Sequence, residues 1–346
     1  MAEIKFHGRR AAAIENEHVR VTVTIEGGHI AEILHKGSGI SPLWIPPWKS
    51  IEPSTYDPGL HPEYGGGAEA KLLSGIMGQN LCLDIFGGVT PEEEAAGLTV
   101  HGESSVAPYH VETSGQTLTQ RTTLPLAQIA FERTIRLDGD RVIIRESAEN
   151  LTAFDRPMGW TQHVTLGPPF LKNGKTQFRC PGTKSKVLEA DFAGEAGYMK
   201  LGAEFDWPNV PLKSGAGTAD LRTYTDRPAS GAYSAHLMDP HREKAFWLAY
   251  DPESKVLIGY QWKRIDFPWL GIWEENRGRK STPWLGRATT CGMEFGASPM
   301  PETRRQMVER GTTFGVPGYR WLPAKSKAVV EYEAFVRTSD RIPHEI

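Results

Sequence analysis

The sequence predicts an all-β protein, built mainly from antiparallel strands with few short helices. Several segments alternate apolar and polar residues, which is the pattern of a strand with one buried face. The chain also holds 36 glycines and 25 prolines, which mark many turns and favour short strands over long helices. We find no linker, internal repeat or low-complexity tract. We therefore expect residues 1–346 to form a single domain, a sandwich rather than a βαβ fold.

The strand predictions follow from alternation and from turn residues. Residues 18–25 alternate strictly, and residues 29–34 form the return strand after Gly27 and Gly28. An Asp138-Gly139 pair predicts a hairpin turn between two further strands. The remaining predicted strands cover residues 129–137, 141–145, 246–250, 255–262 and 329–336.

Helical signals are few. Residues 69–77 and 301–310 are the candidates, and Gly311 is a stop signal for the second. Residues 41–67 are rich in Pro, Gly, Tyr and Trp without clear periodicity. They predict a long ordered loop, the kind of element that often shapes a binding site.

Charge and cysteine content exclude several classes of protein. The formal net charge is −3, with 39 basic and 42 acidic residues and no block of one sign, so neither nucleic acid nor a membrane surface is an expected partner. Three widely spaced cysteines predict neither a disulfide framework nor a zinc site. No signal peptide is evident, and no run approaches the roughly 20 apolar residues of a membrane span. These features predict a cytoplasmic protein.

The segment 160–167 carries a histidine on an unexpected face. On a strand, Trp160, Val164 and Leu166 share the apolar side. His163 lies with the threonines on the opposite side, whereas a core histidine would usually lie with the apolar set. A solvated strand residue is the plain alternative for His163 taken alone.

A second segment, 291–296, repeats this arrangement with a carboxylate. Glu294 faces away from the apolar Met293 and Phe295 and lies between Gly292 and Gly296. Glycine weakens a strand interior and often marks close approach of a ligand or backbone. An imidazole and a carboxylate on the open faces of two half-buried strands suggest an acid and a base that face a ligand.

Other polar residues allow two interpretations each. His101 shares a face with Glu103 and is either a hydrogen-bonded turn histidine or a ligand-binding one. With His110, these residues form a minor hypothesis of a metal site, which no compact motif supports. Arg133 lies on an apolar stripe and needs a partner, either a buried acid or a substrate hydroxyl.

Two tryptophans share one face of a further predicted strand. Trp269 and Trp273 are either core side chains or a platform for the apolar face of a sugar ring. The arginines at positions 277, 279 and 287 are expected to be solvated surface charges. The glycine-rich pieces match neither a dinucleotide-binding nor a phosphate-binding motif, so no cofactor is expected.

Taken in order, these motifs resemble the galactose mutarotase-like, or aldose 1-epimerase-like, superfamily. The similar pieces are Gly-Gly-His29-Ile, Val-His101-Gly-Glu, Phe131-Glu-Arg133-Thr-Ile-Arg with Glu149-Asn150, Thr-Gln-His163-Val-Thr-Leu-Gly and Gly-Met-Glu294. The resemblance spans nearly the whole chain and implies a divergent member with a β-supersandwich fold, a sugar in an open cleft, and no obligatory metal or nucleotide.

The resemblance also implies roles for individual residues. His163 maps to the acid, Glu294 to the base and His101 to a sugar-binding histidine, in an enzyme that interconverts sugar anomers by ring opening. Arg133, Trp269 and Trp273 are the further expected substrate contacts. The substrate-binding aspartate of the family has no clear match; Asp239 is the candidate named here, with Asp266 as the alternative.

The sequence departs from the family pattern at one place. True aldose epimerases carry an Asn-Arg pair before the His-Gly segment, whereas this chain has Gly78-Gln79-Asn80-Leu81 without the arginine. Two alternatives therefore stay open: a non-catalytic carbohydrate-binding protein, and another sugar-active enzyme, such as a lyase or hydrolase. The expected partner is a small carbohydrate in each case, and the expected state is a monomer or homodimer.

Overall fold

The computed structural model describes residues 4–346 as two large antiparallel sheets that pack face to face, with short helices in the connections. The strands are β1 Ile4–Phe6, β2 Arg9–Glu15, β3 Val19–Thr24, β4 Ile30–His35, β5 Gln79–Asp84, β6 His110–Ser114, β7 Thr117–Leu124, β8 Ile129–Asp138, β9 Arg141–Asn150, β10 Arg156–Leu166, β11 Gln177–Arg179, β12 Gly182–Val187, β13 Glu204–Asp206, β14 Asn209–Pro211, β15 Thr218–Asp220, β16 Ser230–Met238, β17 Lys244–Asp251, β18 Val256–Lys263, β19 Trp269–Asn276, β20 Thr289–Gly296, β21 Thr312–Thr313, β22 Val316–Pro317, β23 Arg320–Leu322 and β24 Lys327–Thr338. The α-helices are α1 Ala70–Leu73, α2 Pro91–Ala95 and α3 Arg304–Arg310. Short 3-10 turns cover Pro53–Thr55, Pro62–Tyr64, Glu103–Ser105 and Gly194–Ala196.

The larger sheet has 12 strands, in the order β1-β2-β3-β4-β5-β10-β20-β19-β16-β12-β13, with β23 joined to one end of β10. The smaller sheet has eight strands, in the order β11-β17-β18-β24-β9-β8-β7-β6. The sequence prediction of a mainly antiparallel β-supersandwich with few short helices is confirmed. Strand β10 lies in the middle of the larger sheet and pairs with β5 on one side and β20 on the other.

The predicted strands are all present, with boundaries shifted by a few residues. The predicted helix at 301–310 begins later, because the Thr303 side chain accepts a hydrogen bond from the Gln306 backbone N–H at 3.4 Å and caps the helix there. It ends at Gly311, whose φ of 65° suits a glycine. The predicted helix at 69–77 shortens to the single turn of α1. No helix among residues 4–346 is long and apolar enough to cross a membrane.

The space between the two sheets is filled by apolar side chains and by one buried polar network. Gln162 donates to Glu146 at 2.6 Å, and Tyr332 donates to the other oxygen of Glu146 at 2.9 Å. Gln79 donates to Gln162 at 2.9 Å and accepts from Tyr260 at 2.8 Å. These five side chains come from both sheets and are all buried, so their polar groups satisfy one another within the core.

Candidate functional site

His163 of β10 and Glu294 of β20 are direct partners across two neighbouring strands of the larger sheet. The His163 Nε2 atom lies 3.0 Å from the Glu294 Oε1 atom, and the side chains are only 6% and 2% exposed. Alternation explains their position, because Val164 and Met293 point into the core and leave the histidine and the glutamate on the outer face. The fold therefore brings together the two residues that the sequence singled out.

The hydrogen bonds of this pair leave one carboxylate oxygen open. The His163 Nδ1 atom lies 3.0 Å from the Thr165 hydroxyl, which orients the ring. Glu294 Oε1 has no well-directed hydrogen-bond partner among residues 4–346, although the imidazole is close. A buried carboxylate oxygen without a partner is costly, and the His163 imidazole beside it is the group available to satisfy Oε1.

Glycines make the space around Glu294. A Cβ atom at Gly292 would collide with the Glu294 carboxyl group, and one at Gly296 would collide with Thr161. Gly271 faces Glu294 from β19, and a Cβ there would collide with the Tyr233 hydroxyl. Gly292 is thus explained by close packing against the carboxyl group, and Gly296 and Gly271 by close packing against Thr161 and Tyr233.

His101 reaches the same site from the loop after α2. Its backbone has a φ of 68°, which is uncommon for a residue other than glycine. The Nδ1–H group donates to the Phe86 carbonyl oxygen at 2.5 Å, which leaves Nε2 as an acceptor. The ring centroids of His101 and His163 lie 4.8 Å apart. His101 therefore joins the pair as the sequence motif suggested.

Burial sets the protonation of these groups. It lowers the pKa of His101 to about 4 and lowers the pKa of His163 well below its ordinary value. The same desolvation raises the pKa of Glu294 well above its ordinary value. These shifts favour uncharged imidazoles at His101 and His163 and a protonated carboxyl group at Glu294.

The three residues line a cavity of about 340 Å³ that opens on the outer face of the larger sheet. Trp273 stands beside them, with its ring 5.7 Å from the His163 ring, centroid to centroid. The other lining side chains are mostly apolar: Leu72, Leu73, Ile76, Val100, Leu188, Ala190, Phe192, Tyr233, Trp284 and Pro301. A cavity of this size accepts a monosaccharide-sized ligand.

Arg279 is a cavity residue that the sequence did not reveal, since it was expected to be a solvated charge. Its guanidinium carbon lies 4.6 Å from the Trp284 ring centroid and 5.7 Å from that of Trp273. Glu275 holds it at 3.4 Å and Glu69 at 3.8 Å. The only available signal was the tryptophan at position 284, because arginine often stacks on indole.

Arg133 does not reach the cavity, so its predicted contact with substrate is not supported by its position. It lies in β8 of the smaller sheet, and its Nε donates to Glu146 at 2.7 Å with both side chains buried. A second donor bonds the Gly28 carbonyl oxygen at 2.7 Å. Its position fits the alternative prediction, in which the arginine pairs with a buried acid, here Glu146.

Trp269 and Asp239 also lie outside the cavity. Trp269 is fully buried, and its indole N–H donates to the Pro317 carbonyl oxygen at 3.1 Å, which is the core role. Asp239 follows the end of β16 in a turn, where it accepts a hydrogen bond from the His241 backbone N–H at 3.0 Å. Only Trp273 of the two predicted tryptophans is placed to contact a ligand.

The minor hypothesis of a metal site fails on geometry. Glu103 accepts hydrogen bonds from the Leu126 and Ala127 backbone N–H groups, and His110 lies exposed on β6. Neither therefore joins His101 at the cavity. In the described part of the chain, no group of three or more His, Cys, Asp or Glu side chains is arranged to hold a metal ion.

The loop at 41–67 supports the cavity from behind and does not line it. Trp44 stacks on Trp284 with ring centroids 6.1 Å apart, and Trp48 meets the same ring edge-on at 5.0 Å. The loop therefore shapes the site indirectly. Its tryptophans pack behind Trp284, which lines the cavity, and do not line the cavity themselves.

The fold agrees with solved structures of galactose mutarotase-like proteins. A provisionally named aldose 1-epimerase from Klebsiella pneumoniae superposes with a TM-score of 0.69 at 14% identity, over 96% of this chain and 80% of that one. A galactose mutarotase-like protein from Clostridium acetobutylicum gives a TM-score of 0.62 at 12% identity, over 98% of each chain. One from Lactobacillus casei gives 0.60 at 11% identity, over 94% of this chain and all of that one.

Comparison at the level of sequence adds nothing to this. No protein-family model matches the chain, and no curated protein matches it. The chain therefore has the fold of the galactose mutarotase-like proteins, as its motifs indicated, whereas activity depends on the residues of the site itself.

Proposed function

We propose that residues 1–346 form one carbohydrate-binding domain that acts as an epimerase of the aldose 1-epimerase type and interconverts sugar anomers. The observation that carries the proposal is the His163–Glu294 pair, 3.0 Å apart at the floor of a cavity of monosaccharide size. His101 and Trp273 complete the site as sugar-binding residues. The fold shared with epimerase-like proteins supports the same reaction class.

The pair has the chemistry that anomer exchange requires. Ring opening removes the proton from the anomeric hydroxyl and adds a proton to the ring oxygen. With one shared proton, the Glu294 carboxyl group protonates the ring oxygen while the neutral His163 accepts the hydroxyl proton. Rotation about the C1–C2 bond and closure with the two roles exchanged give the other anomer and restore the pair. The starting assignment is the reverse of that expected from the family, because burial favours the uncharged forms of both groups.

The test is saturation-transfer NMR of anomer exchange on a panel of aldoses. We expect faster exchange than in buffer for at least one sugar, and a rate reduced to that of buffer with Glu294→Gln. Glu309→Gln, an exposed change on α3, is the control that should leave exchange intact. An unchanged rate in Glu294→Gln, or no acceleration for any sugar, contradicts the proposal.

Sugar binding without catalysis is the second candidate. It is favoured by the absence of an arginine after Asn80 and by the aromatic wall at Trp273. It predicts sugar binding by calorimetry that survives His163→Ala, with no anomer exchange. A lyase or hydrolase would instead change the mass of the sugar or the number of products, so mass spectrometry separates these reactions from epimerisation.

The cytoplasmic location and the monomeric or dimeric state remain proposals from the sequence. All three cysteines, Cys82, Cys180 and Cys291, are free and buried, which is compatible with a reducing compartment. Cell fractionation tests the location, and light scattering coupled to size-exclusion chromatography tests the assembly state.

A further inference from the structure

The cavity above His163 and Glu294 lies between two apolar clusters. On one side, Leu72, Leu73 and Ile76 from α1 and the residues after it pack with Trp284. We call the three aliphatic residues, Leu72, Leu73 and Ile76, the aliphatic wall. On the opposite side, Leu188 and Phe192 pack around Tyr233, and Trp273 contacts both clusters.

Apart from the indole N–H groups of Trp273 and Trp284 and the backbone at Gly87 and Gly88, the hydrogen-bonding groups of this cavity lie on its floor and one edge. The floor holds His101, His163 and Glu294, and the edge holds Arg279 and Glu69. The Tyr233 hydroxyl is already committed, because it donates to the Pro299 carbonyl oxygen at 2.7 Å. The side chains of Leu72, Leu73 and Ile76 offer neither a donor nor an acceptor, and each is at most 5% exposed.

The charges in the cavity balance each other. Arg279 is held between Glu275 and Glu69, so its positive charge is already compensated. Burial favours the uncharged forms of His101, His163 and Glu294. A ligand with a phosphate or a carboxylate would therefore meet no free positive charge among these lining residues.

We propose that the substrate is a neutral deoxy sugar, one that lacks a hydroxyl group at the ring or exocyclic carbon that lies against the aliphatic wall. This inference rests on the proposed function, since it specifies the sugar on which the same site acts. A hydroxyl group pressed against Leu72, Leu73 and Ile76 would lose its water and gain no partner, which is unfavourable. A CH₂ or CH₃ group in the same place gains apolar contact instead.

The experiment compares matched sugars that differ by one hydroxyl group. Anomer exchange is measured for D-galactose and D-glucose, for the 2-, 3- and 6-deoxy forms of each and for the 4-deoxy sugar that the two share, with the spontaneous rate subtracted. We expect at least one deoxy form to exceed its parent in kcat/KM by about tenfold to a hundredfold, the range in which an apolar pocket discriminates against one added hydroxyl. The inference is overturned if each parent sugar has a kcat/KM equal to or higher than that of all its deoxy forms.

A variant of the cavity wall gives an independent readout. Val100 lines the cavity beside the aliphatic wall and is half-buried, so Val100→Thr adds a hydroxyl with little change of shape. It should reduce the preference for the deoxy form severalfold, whereas Val100→Ala, which adds no polar group, should not. Thermal melting confirms that both variants fold. An unchanged preference in Val100→Thr counts against the inference.

Binding separates failure of this inference from failure of the proposed function. Ligand-observed NMR measures the affinity of wild-type protein and of Glu294→Gln for the same sugar pairs. Tighter binding of a deoxy form with no exchange of any sugar would refute the epimerase and retain the substrate class. Exchange of a fully hydroxylated parent as fast as that of its deoxy forms would refute the substrate class and retain the epimerase.

Discussion

His101 and His163 approach each other at the floor of the cavity, with ring planes tilted by 59° and centroids 4.8 Å apart. Removal from water disfavours a positive charge on either ring, and a charge on His101 would further disfavour one on His163. Burial therefore favours the uncharged form of each titratable group on the floor of the site. This property makes the proposed reaction testable through its pH dependence.

We expect kcat/KM for anomer exchange to stay flat where an ordinary imidazole titrates, near pH 6.5. The lowered pKa keeps His163 neutral as the pH falls through its ordinary value of 6.5. The raised pKa keeps the Glu294 carboxyl protonated as the pH rises above its ordinary value of 4.5. Activity should fall in acid, where the pair gains a second proton, and in alkali, where it loses its only one. A clear inflection near pH 6.5 in the rate profile contradicts this.

Gly292→Ala should abolish most of the activity while the protein stays folded. The added Cβ would collide with the Glu294 carboxyl group and displace it from His163. A displacement of about 1 Å at a reacting group costs on the order of a hundredfold in rate. Gly66→Ala is the matched control, because Gly66 has open space around it and ordinary backbone angles. Equal rates of anomer exchange in Gly292→Ala and Gly66→Ala would contradict this prediction.

Arg133→Met should destabilise the protein and leave sugar affinity alone. The change leaves Glu146 buried without its ion-pair partner, and breaking such a pair costs about 3–5 kcal/mol of unfolding free energy. Arg136→Met on the same strand is the control, since that side chain is exposed and its loss should cost roughly 0.5 kcal/mol or less. Urea denaturation measures both. A folded Arg133→Met of wild-type stability with a raised KM would restore Arg133 as a substrate contact.

The unfolding free energy should fall as the pH drops below about 6.5. Burial lowers the pKa of His236 to about 3, while the unfolded chain binds a proton near the ordinary value of 6.5. Between these values the unfolded state holds more protons, so stability rises with pH, by about 1.4 kcal/mol per unit for each such histidine. His29 and His101 act in the same direction, with pKa values lowered by burial to about 3 and about 4.

His236→Gln should reduce the slope of stability against pH, as measured by denaturation at pH 5 and pH 7. His110→Gln is the control for the loss of an imidazole, because His110 is exposed on β6. Equal slopes in wild type and His236→Gln would show that the ring is accessible to protons in the folded state.

Strand alternation predicted the sandwich fold and the outer-face positions of His163 and Glu294. The period of two placed Trp160 and Val164 on the buried side and His163 on the other, and the glycines beside Glu294 indicated close packing at that position. The register between β10 and β20 makes the two residues direct partners, and no local sequence pattern predicts that register. Alternation also left the partner of Arg133 undetermined, because it shows which face of the sheet a side chain occupies and not which residue it contacts there.

The residues that sequence reasoning missed come from irregular segments. Leu72, Leu73 and Ile76 lie on and after a helix of four residues, and Arg279 follows the end of β19. Such segments have no period that predicts the direction of a side chain. Arg279 also carries a charge, which favours the surface unless partners as specific as Glu275 and the rings of Trp273 and Trp284 compensate it. Long-range packing determines this side of the site.

The hydrogen-bonded core network bears on how this protein can be changed. Gln162 is the immediate neighbour of His163 and is tied through Glu146 and Tyr332 to the opposite sheet, so a sliding movement between the sheets would break several bonds at once. The aliphatic wall is outside this network. Variation at positions 72, 73 and 76 should therefore reshape the pocket while His163 and Glu294 keep their places, which makes the site a practical starting point for engineering altered ligand selectivity.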